Sequence, residues 1–305
     1  LSASVVFTDA GNSIRKGLKK VSAVEGLPIT VGERVDLKFT DNKGNTINFG
    51  EGGNNLFIND RIDINTKSQT SGKTYELELT SKEFIDNSKV RVRHCLSGTI
   101  SDEVENILKD ILKTEKDLDI EETKDNLQYV GNNKKPFYVI NNLSTKAVSA
   151  KDQELGVSAG YFFWETANGY HFKSIDTLLS GKQKKSIIYN ESADNKTPKG
   201  YDIKALTLHT NNRVNLQKKL EMGAYSTRSF EIDLFSTEAT VSIQDAFDPK
   251  IQEKLKLAGK ELPIENDVFK KEGSDAQFSR TTFFFTTTGQ QHMGESEEQI
   301  EKSKE

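Results

Sequence analysis

From Ser4 to about Gly98 apolar and polar residues alternate one by one: Val35, Leu37 and Phe39, then Ile62 and Ile64, then Tyr75, Leu77 and Leu79. Successive side chains of a strand point to opposite faces, so this period of two dictates a sheet with one buried face. Turn chemistry separates the runs, with Asp41 to Asn45 after one strand and Gln69 to Lys73 before another. Gly and Asn supply positive φ there, and antiparallel hairpins are predicted.

With 305 residues the chain can bury two or three cores, and one small domain is excluded. Apolar residues make up 34% and charged residues 29%, yet 17 Phe and 8 Tyr set the chain apart from disordered sequences, so a folded, polar, strand-rich protein with much loop is expected. A formal net charge of −4 supplies no overall basic field for phosphates, which argues against tight DNA binding. The single Cys95 excludes an intrachain disulfide and, with four scattered histidines, a Cys-based zinc site. Packing and partners must then hold the fold, as suits assembly in a reducing cytoplasm. The longest apolar runs, Tyr161 to Trp164 and Phe283 to Phe285, are too short to span a bilayer, and no signal pattern opens the chain, so a soluble protein without membrane insertion is expected.

Beyond the first β region the pattern changes. Ser101 can cap a helix over 102–113, whose Val104, Ile107, Leu108, Ile111 and Leu112 form one stripe. Pro136 opens a second helix with Phe137, Ile140, Leu143 and Ala147 on one face, and the polar stretch between the two reads as loop or edge strand. Tyr161-Phe162-Phe163-Trp164 and Tyr170-His171-Phe172 flank Ala167-Asn168-Gly169, a hairpin of two aromatic strands. After Ser186-Ile187-Ile188-Tyr189 and a loop with Pro198 and Gly200, a helix over 212–222 ends at Gly223. Phe230, Ile232 and Leu234 then alternate with acids, and Arg280 to Thr288 is β-prone, while Gly294 to Glu305 is a charged tail that orders only against a neighbour.

The order gives an α+β, β-rich fold class. We divide it into a first β module (1–98), a mixed α/β domain (99–190), a second β module with helix (191–292) and a tail (293–305). No short repeat of fixed period is visible, which argues against solenoids and propellers.

Chemistry-bearing constellations are sparse. Gly50-Glu51-Gly52-Gly53 lacks the Lys-Ser/Thr ending of a phosphate loop and reads as a turn. His94, His171, His209 and His292 never share a metal-binding spacing. Cys95 and His94 are adjacent, so on a strand they face opposite ways, and a packed, inert thiol is expected. Glu165 with Asp176 could flank a glycosidic bond, but 46 acidic residues produce such pairs by chance. The aromatic cluster around Trp164 reads as core or subunit contact before ligand stacking. No catalytic, cofactor-binding or metal-binding residue is assigned, no cofactor is expected, and the chain is read as a non-enzyme.

Gly160 to Thr166 followed by Gly169 to Leu178 combines an aromatic strand, a Glu, a tight turn, Gly-aromatic-x-Phe and Ser-Ile-x-x-Leu in one order. That order resembles a stretch of the baseplate central hub family of contractile-tailed bacteriophages, which is also similar to the hub part of type VI secretion spike proteins. Ser97 to Asp102 before the first helix, Lys135-Pro136-Phe137 with Ile140, and Gly223-Ala224-Tyr225 after a Lys-rich helix fall in the expected sequence, so the resemblance spans roughly residues 30 to 240. It implies two tail-tube-like β-barrel or sandwich modules with a mixed domain between them. Three copies then set six modules around a channel and join a six-fold tube to a three-fold spike.

The implied partners are a homotrimer, the tail tube protein, the central spike protein, other wedge proteins of the baseplate, and DNA in transit without specific binding. The implied place is the tail baseplate of the virion, assembled in the host cytoplasm. Any spike tip or cell-wall enzyme is then a separate polypeptide, and the acidic balance predicts a polar or acidic lumen. Three readings stand beside this one: a hexameric distal tail or tube-end protein, a cell-wall hydrolase using Glu165 or Asp176, and a carbohydrate-binding module using Trp164.

Overall fold

A computed structural model describes residues 1–9, 14–27, 29–40, 44–50, 54–64, 73–124, 126–151, 160–189, 196–205, 207–211, 215–223, 226–233, 239–245, 256–257, 260–261 and 280–286. The chain is α+β and β-rich, and it divides into two compact units, one of Leu1–Ala150 with Tyr161–Lys173 and the other chiefly Ser174–His292.

The first unit opens with β1 (Ser2–Asp9), a short hairpin of β2 (Ile14–Lys16) and β3 (Lys19–Val21), and the helical turn α1 (Ala23–Gly26). There follow β4 (Arg34–Val35), a hairpin of β5 (Leu37–Thr40) and β6 (Thr46–Phe49), and the long strands β7 (Leu56–Ile64) and β8 (Lys73–Ser81). The main sheet runs β1-β8-β7-β4, antiparallel throughout. Its inner face is the one the alternation requires: Leu56, Ile58, Leu77 and Leu79 are 1–6% exposed and pack with Val5, Phe7, Val35 and Phe49. Burying each such side chain contributes about 1.5–3 kcal/mol, so this face holds the sheet. The predicted hairpins form, with Gly44 at φ +86 in the β5–β6 turn, while residues 41–43 and 65–72 lie outside the described set.

Two expectations for this sheet are corrected. Between Ile58 and Asp60 the pairing of β7 with β8 shifts by one residue, a β-bulge at Asn59. Because the side-chain period is two, that extra residue exchanges the faces beyond it. Ile62 now pairs with Glu76 and is 44% exposed, and Ile64 is 42% exposed, whereas Arg61 lies opposite the buried Leu77 and donates to the Ile29 carbonyl at 2.6 Å. Phe39, also expected inside, is 54% exposed and meets Phe49 only edge-on at 6.0 Å.

The remainder of the first unit packs around a second core of Leu96, Ile100, Val104, Ile107, Leu108, Leu127, Ile140, Tyr170, Phe172 and their neighbours. α2 (Lys82–Lys89) stands where continuous β was expected. Its inward residues are Glu83 and Asn87, so the helix carries no apolar stripe to betray it. Asn87 accepts from the Phe137 amide at 2.8 Å, satisfying a free donor in the first turn of α4 (Pro136–Ser144). Pro136 opens that helix as predicted, and Ile140 and Leu143 of the expected face are buried along it with Val139, whereas Phe137 is half-buried and the buried Ala147 lies beyond the helix end at Ser144.

The helix expected at 102–113 begins earlier, as α3 (Ile100–Asn106), and is capped by Thr99, which accepts from the Asp102 amide. Ser101 lies buried inside the first turn, exchanging hydrogen bonds with Thr123. The helix continues as a single π turn, Ile107–Ile111, closed by the Leu112 amide on the Ile107 carbonyl at 3.0 Å. The polar stretch that follows holds two strands, β10 (Leu118–Ile120) and β11 (Asn126–Val130), the latter antiparallel to β9 (Cys95–Thr99). The aromatic hairpin forms as β12 (Tyr161–Thr166) and β13 (Gly169–Ser174), and β10 joins it in parallel in the order β10-β13-β12.

In the second unit α5 (Ile175–Ser180) precedes the parallel pair β14 (Ile187–Tyr189) and β15 (Ile203–Ala205). α6 (Leu216–Glu221) is capped by Asn215, which accepts from the Lys218 amide at 3.1 Å, and Gly223 follows it at φ +78 as predicted. The predicted helix residues 212–214 lie outside the described set. β16 (Ser226–Asp233) is antiparallel to β17 (Ala239–Asp245) and parallel to β20 (Arg280–Thr286), while β18 (Lys256–Leu257) pairs with β19 (Lys260–Glu261). Leu234 and the tail 294–305 are outside the described residues.

Candidate functional site

The aromatic hairpin is the segment on which sequence reasoning converged, and alternation divides it into two faces. Tyr161 and Phe163 of β12 turn inward with Tyr170 and Phe172 of β13: Phe163 stacks on Tyr170 at 5.6 Å, Tyr161 meets Phe172 at 4.9 Å, and Phe137 of α4 closes on Phe163 at 5.5 Å. Four rings thus form the floor of the second core.

Phe162, Trp164, Thr166, His171 and Lys173 occupy the other face. Trp164 stacks on His171 at 5.0 Å, and the imidazole is held at both nitrogens, by Thr166 Oγ1 at 2.9 Å and Asp119 Oδ2 at 3.1 Å. Lys173 reaches the same Asp119 oxygen at 2.7 Å. The hydrogen bond from Lys173, aided by His171 and opposed by partial burial, lowers the Asp119 pKa. One broad face of the half-buried Trp164 ring is therefore already covered.

Beneath the hairpin lies a buried charge cluster that sequence reasoning missed. Lys116 sits between two carboxylates, 3.3 Å from Glu83 Oε2 and in contact with Glu165 Oε1, and these side chains are only 2–9% exposed. Thr114 donates to Glu83 at 2.8 Å, Ser81 donates to Glu165 at 2.9 Å, and the main-chain nitrogen of Leu1 also contacts Glu165. Burial pushes the Glu165 pKa up, but the hydrogen bond and charge of Lys116 work against it, and the carboxyl stays below its ordinary value. Burial drives the Tyr170 phenol upward, and the lysine lies 5.7 Å over its ring. No sequence signal marks this cluster, because a Lys in a polar stretch reads as solvated.

This geometry bears on the hydrolase reading. A general acid at neutral pH needs a raised pKa and access to a substrate, whereas Glu165 is held ionised by a lysine inside the protein. Asp176 is buried in the first turn of α5. Cys95, expected to be packed, is exposed on β9, where the β9–β11 pair presents it to solvent, and His94 beside it is exposed too. His209 is exposed, His292 and residues Glu51 to Gly53 lie outside the described set, and among the described residues no cluster of three His, Cys, Asp or Glu is placed to hold a metal. Among the described residues no helix is long and apolar enough to cross a membrane.

What the molecule does display is apolar surface on sheet faces. In the second unit Val241, Ile243 and Phe283 are 48–62% exposed, with Phe230 stacked on Phe283 at 5.2 Å, while Ser226 and Ser229 on the same strand β16 are buried. In the first unit Val6, Ile62 and Ile64 are exposed on the outer face of the main sheet. The hairpin of β2 and β3 adds a second missed feature, four cations around an exposed Leu18, which an overall charge of −4 conceals.

No known family profile matches the chain, and no curated protein matches it. Among solved structures it is similar to proteins of phage tails and of a type VI secretion system. One is an Escherichia coli component of that system, described as structurally similar to the T4 bacteriophage tail proteins gp27 and gp5, at 17% identity over 61% of this chain with a TM-score of 0.35. Another is the prophage tail protein gp18 of Listeria monocytogenes EGD-e, at 8% identity over 93% of the chain with a TM-score of 0.37. A third is the tail protein of Neisseria meningitidis MC58, at 8% identity over 99% of the chain with a TM-score of 0.39. The chain spans 45%, 65% and 75% of these proteins respectively.

Proposed function

We propose that this chain is a structural subunit of a phage-type tail that works through its interfaces. In this reading three copies form a central baseplate hub between the tail tube and the spike, around a channel for DNA. Residues 1–98 and 191–292 serve as the two tube-like modules and 99–190 as the mixed domain between them. The observation that carries the reading is the exposed apolar sheet face in each unit, Val6, Ile62 and Ile64 in one and Val241, Ile243 and Phe283 in the other. Apolar residues presented on regular strands are covered in a working protein, and a ring subunit covers them with neighbours. The motif order through the aromatic hairpin supports the same assignment, and the enclosure of Glu165 by Lys116 favours interfaces over hydrolysis.

The test is the mass and symmetry of the purified oligomer, by native mass spectrometry and negative-stain imaging. Three copies around a hole are expected. Six copies would assign the chain to the tube end instead, and a monomer at all concentrations would overturn the ring. A channel mapped as strongly basic would contradict the DNA-conducting role, since it would retain phosphates.

A further inference from the structure

The hairpin of β2 and β3 is an arm whose charge is unbalanced. Arg15 lies opposite Lys20 and Lys16 opposite Lys19, with no acidic residue between Ile14 and Val21. Like charges facing one another across a strand pair are unfavourable, so an isolated arm of this kind gains from an anionic partner. At its tip Gly17 turns the chain at φ +65 and Leu18 is fully exposed, at 107%. The base is fixed: Ile14 and Val21 close on Gly26 of α1 so tightly that a Cβ there would come within 2.5 Å of Ile14, and the Ala23 amide donates to Asp9 at the end of β1 at 2.7 Å. The arm is thus an apolar tip ringed by four cations on a held base.

The outer face of the main sheet carries the inverse pattern. Register places Val6, Glu76 and Ile62 in one row, Ser4, Glu78 and Asp60 in the next, and Thr8, Thr74 and Ile64 on the other side. Val6 is 60% exposed beside Ile62 and Ile64, so three apolar side chains lie among three carboxylates, and these rows contain no Lys or Arg. The bulge at Asn59 is what turns the two isoleucines outward.

We propose that the β2–β3 arm of one copy seats on the outer face of β1, β8 and β7 of the next copy, Leu18 among Val6, Ile62 and Ile64, and the arm's cations against Glu76, Glu78 and Asp60. This contact rests on the ring-forming reading above and names its joint. A nucleic acid or an anionic lipid surface would satisfy the arm and leave the acidic, apolar face unmatched, whereas a second copy satisfies both. Each chain carries one arm and one seat, so the contact is head-to-tail, the kind that closes into a ring when the rotation fits.

The experiment measures self-association of the full chain by analytical ultracentrifugation at 0.15 M and 0.5 M salt. Three variants are compared with wild type: Lys16→Glu with Lys19→Glu, Glu76→Lys with Glu78→Lys, and all four changes in one chain. Each pair alone weakens association on the order of 100-fold and the fourfold swap restores it, since every joint in the ring then has its charges exchanged. Wild-type association also weakens at the higher salt. Lys16, Lys19 and Glu78 are exposed and Glu76 is half-buried, and unchanged circular dichroism in each variant separates lost contact from lost fold. An oligomer indifferent to all three variants overturns the joint and leaves the ring standing, while a monomeric wild type overturns both. Loss of binding to a DNA duplex or to phosphatidylserine vesicles in the arm variant, with the oligomer intact, also overturns the joint and assigns the arm to phosphate.

Discussion

Replacing Lys116 with Met removes one cation from a site that holds two carboxylates. The side chains of Lys116, Glu83 and Glu165 are 2%, 3% and 9% exposed, so water cannot take over the missing role. The hydroxyls of Thr114 and Ser81 remain, but a neutral hydrogen bond contributes about 1 kcal/mol and cannot offset a buried ion. Breaking a buried pair costs about 3–5 kcal/mol, and two anions left together place this variant at the upper end. The assay is urea unfolding followed by fluorescence of Trp164, the single tryptophan, which sits on the strand that carries Glu165 and so reports the affected unit alone. The pH dependence has a defined sign. In the wild type the folded pKa of Glu165 lies below its ordinary 4.5, so its contribution is present above that value and is lost as the pH falls through the lower folded one. Without Lys116 its lowering effect is lost and burial works against the ionised carboxyl, so the stability gap between the two proteins narrows on acidification. Adding Glu83→Gln and Glu165→Gln to the variant returns more than half of the loss. A deficit below about 1 kcal/mol, or one that stays flat with pH, would refute the claim that this cluster holds the unit together.

Gly169→Ala tests the start of β13: at φ +142 a Cβ would lie 2.1 Å from the Asp117 carbonyl oxygen, and a loss of about 2–4 kcal/mol in the same unfolding assay is expected. Asn87→Ala removes the acceptor for the Phe137 amide and costs about 1–2 kcal/mol, whereas Asn87→Asp, which keeps an acceptor, retains most of the stability. Cys95 in the native protein reacts fully with a thiol reagent within minutes, and Cys95→Ser changes stability by less than about 0.5 kcal/mol, because the side chain is exposed. Purified protein is expected to release no peptidoglycan fragments, and Glu165→Gln to lower thermal stability instead of removing an activity.

The legible parts of the fold were those in which a single period governs a segment. Tyr161 to Phe172 alternates around a tight turn and Pro136 marks the start of a helix with a buried stripe, so both were readable from composition at fixed spacing. α2 was invisible because it turns Glu83 and Asn87 inward, and a helix that buries polar groups leaves no apolar signature. Ile62 and Ile64 misled for a different reason: their alternation is real, but the bulge that sets its phase depends on the partner strand. The same holds for Thr99 over Ser101, since a cap is selected by where Thr123 engages the serine. Lys116 illustrates the largest gap. Its two carboxylate partners are 33 and 49 residues away in the chain, and no local pattern announces so distant a pairing.

The bulge at Asn59 makes the adhesiveness of β7 a matter of parity. Removing that one residue would return Ile62 and Ile64 to the interior and send Arg61 and Asp63 out, converting a sticky wall into a hydrated one while every other amino acid stays the same. In such a strand, insertion and deletion are stronger evolutionary levers on sociability than substitution, because a single step rewrites a whole surface at once.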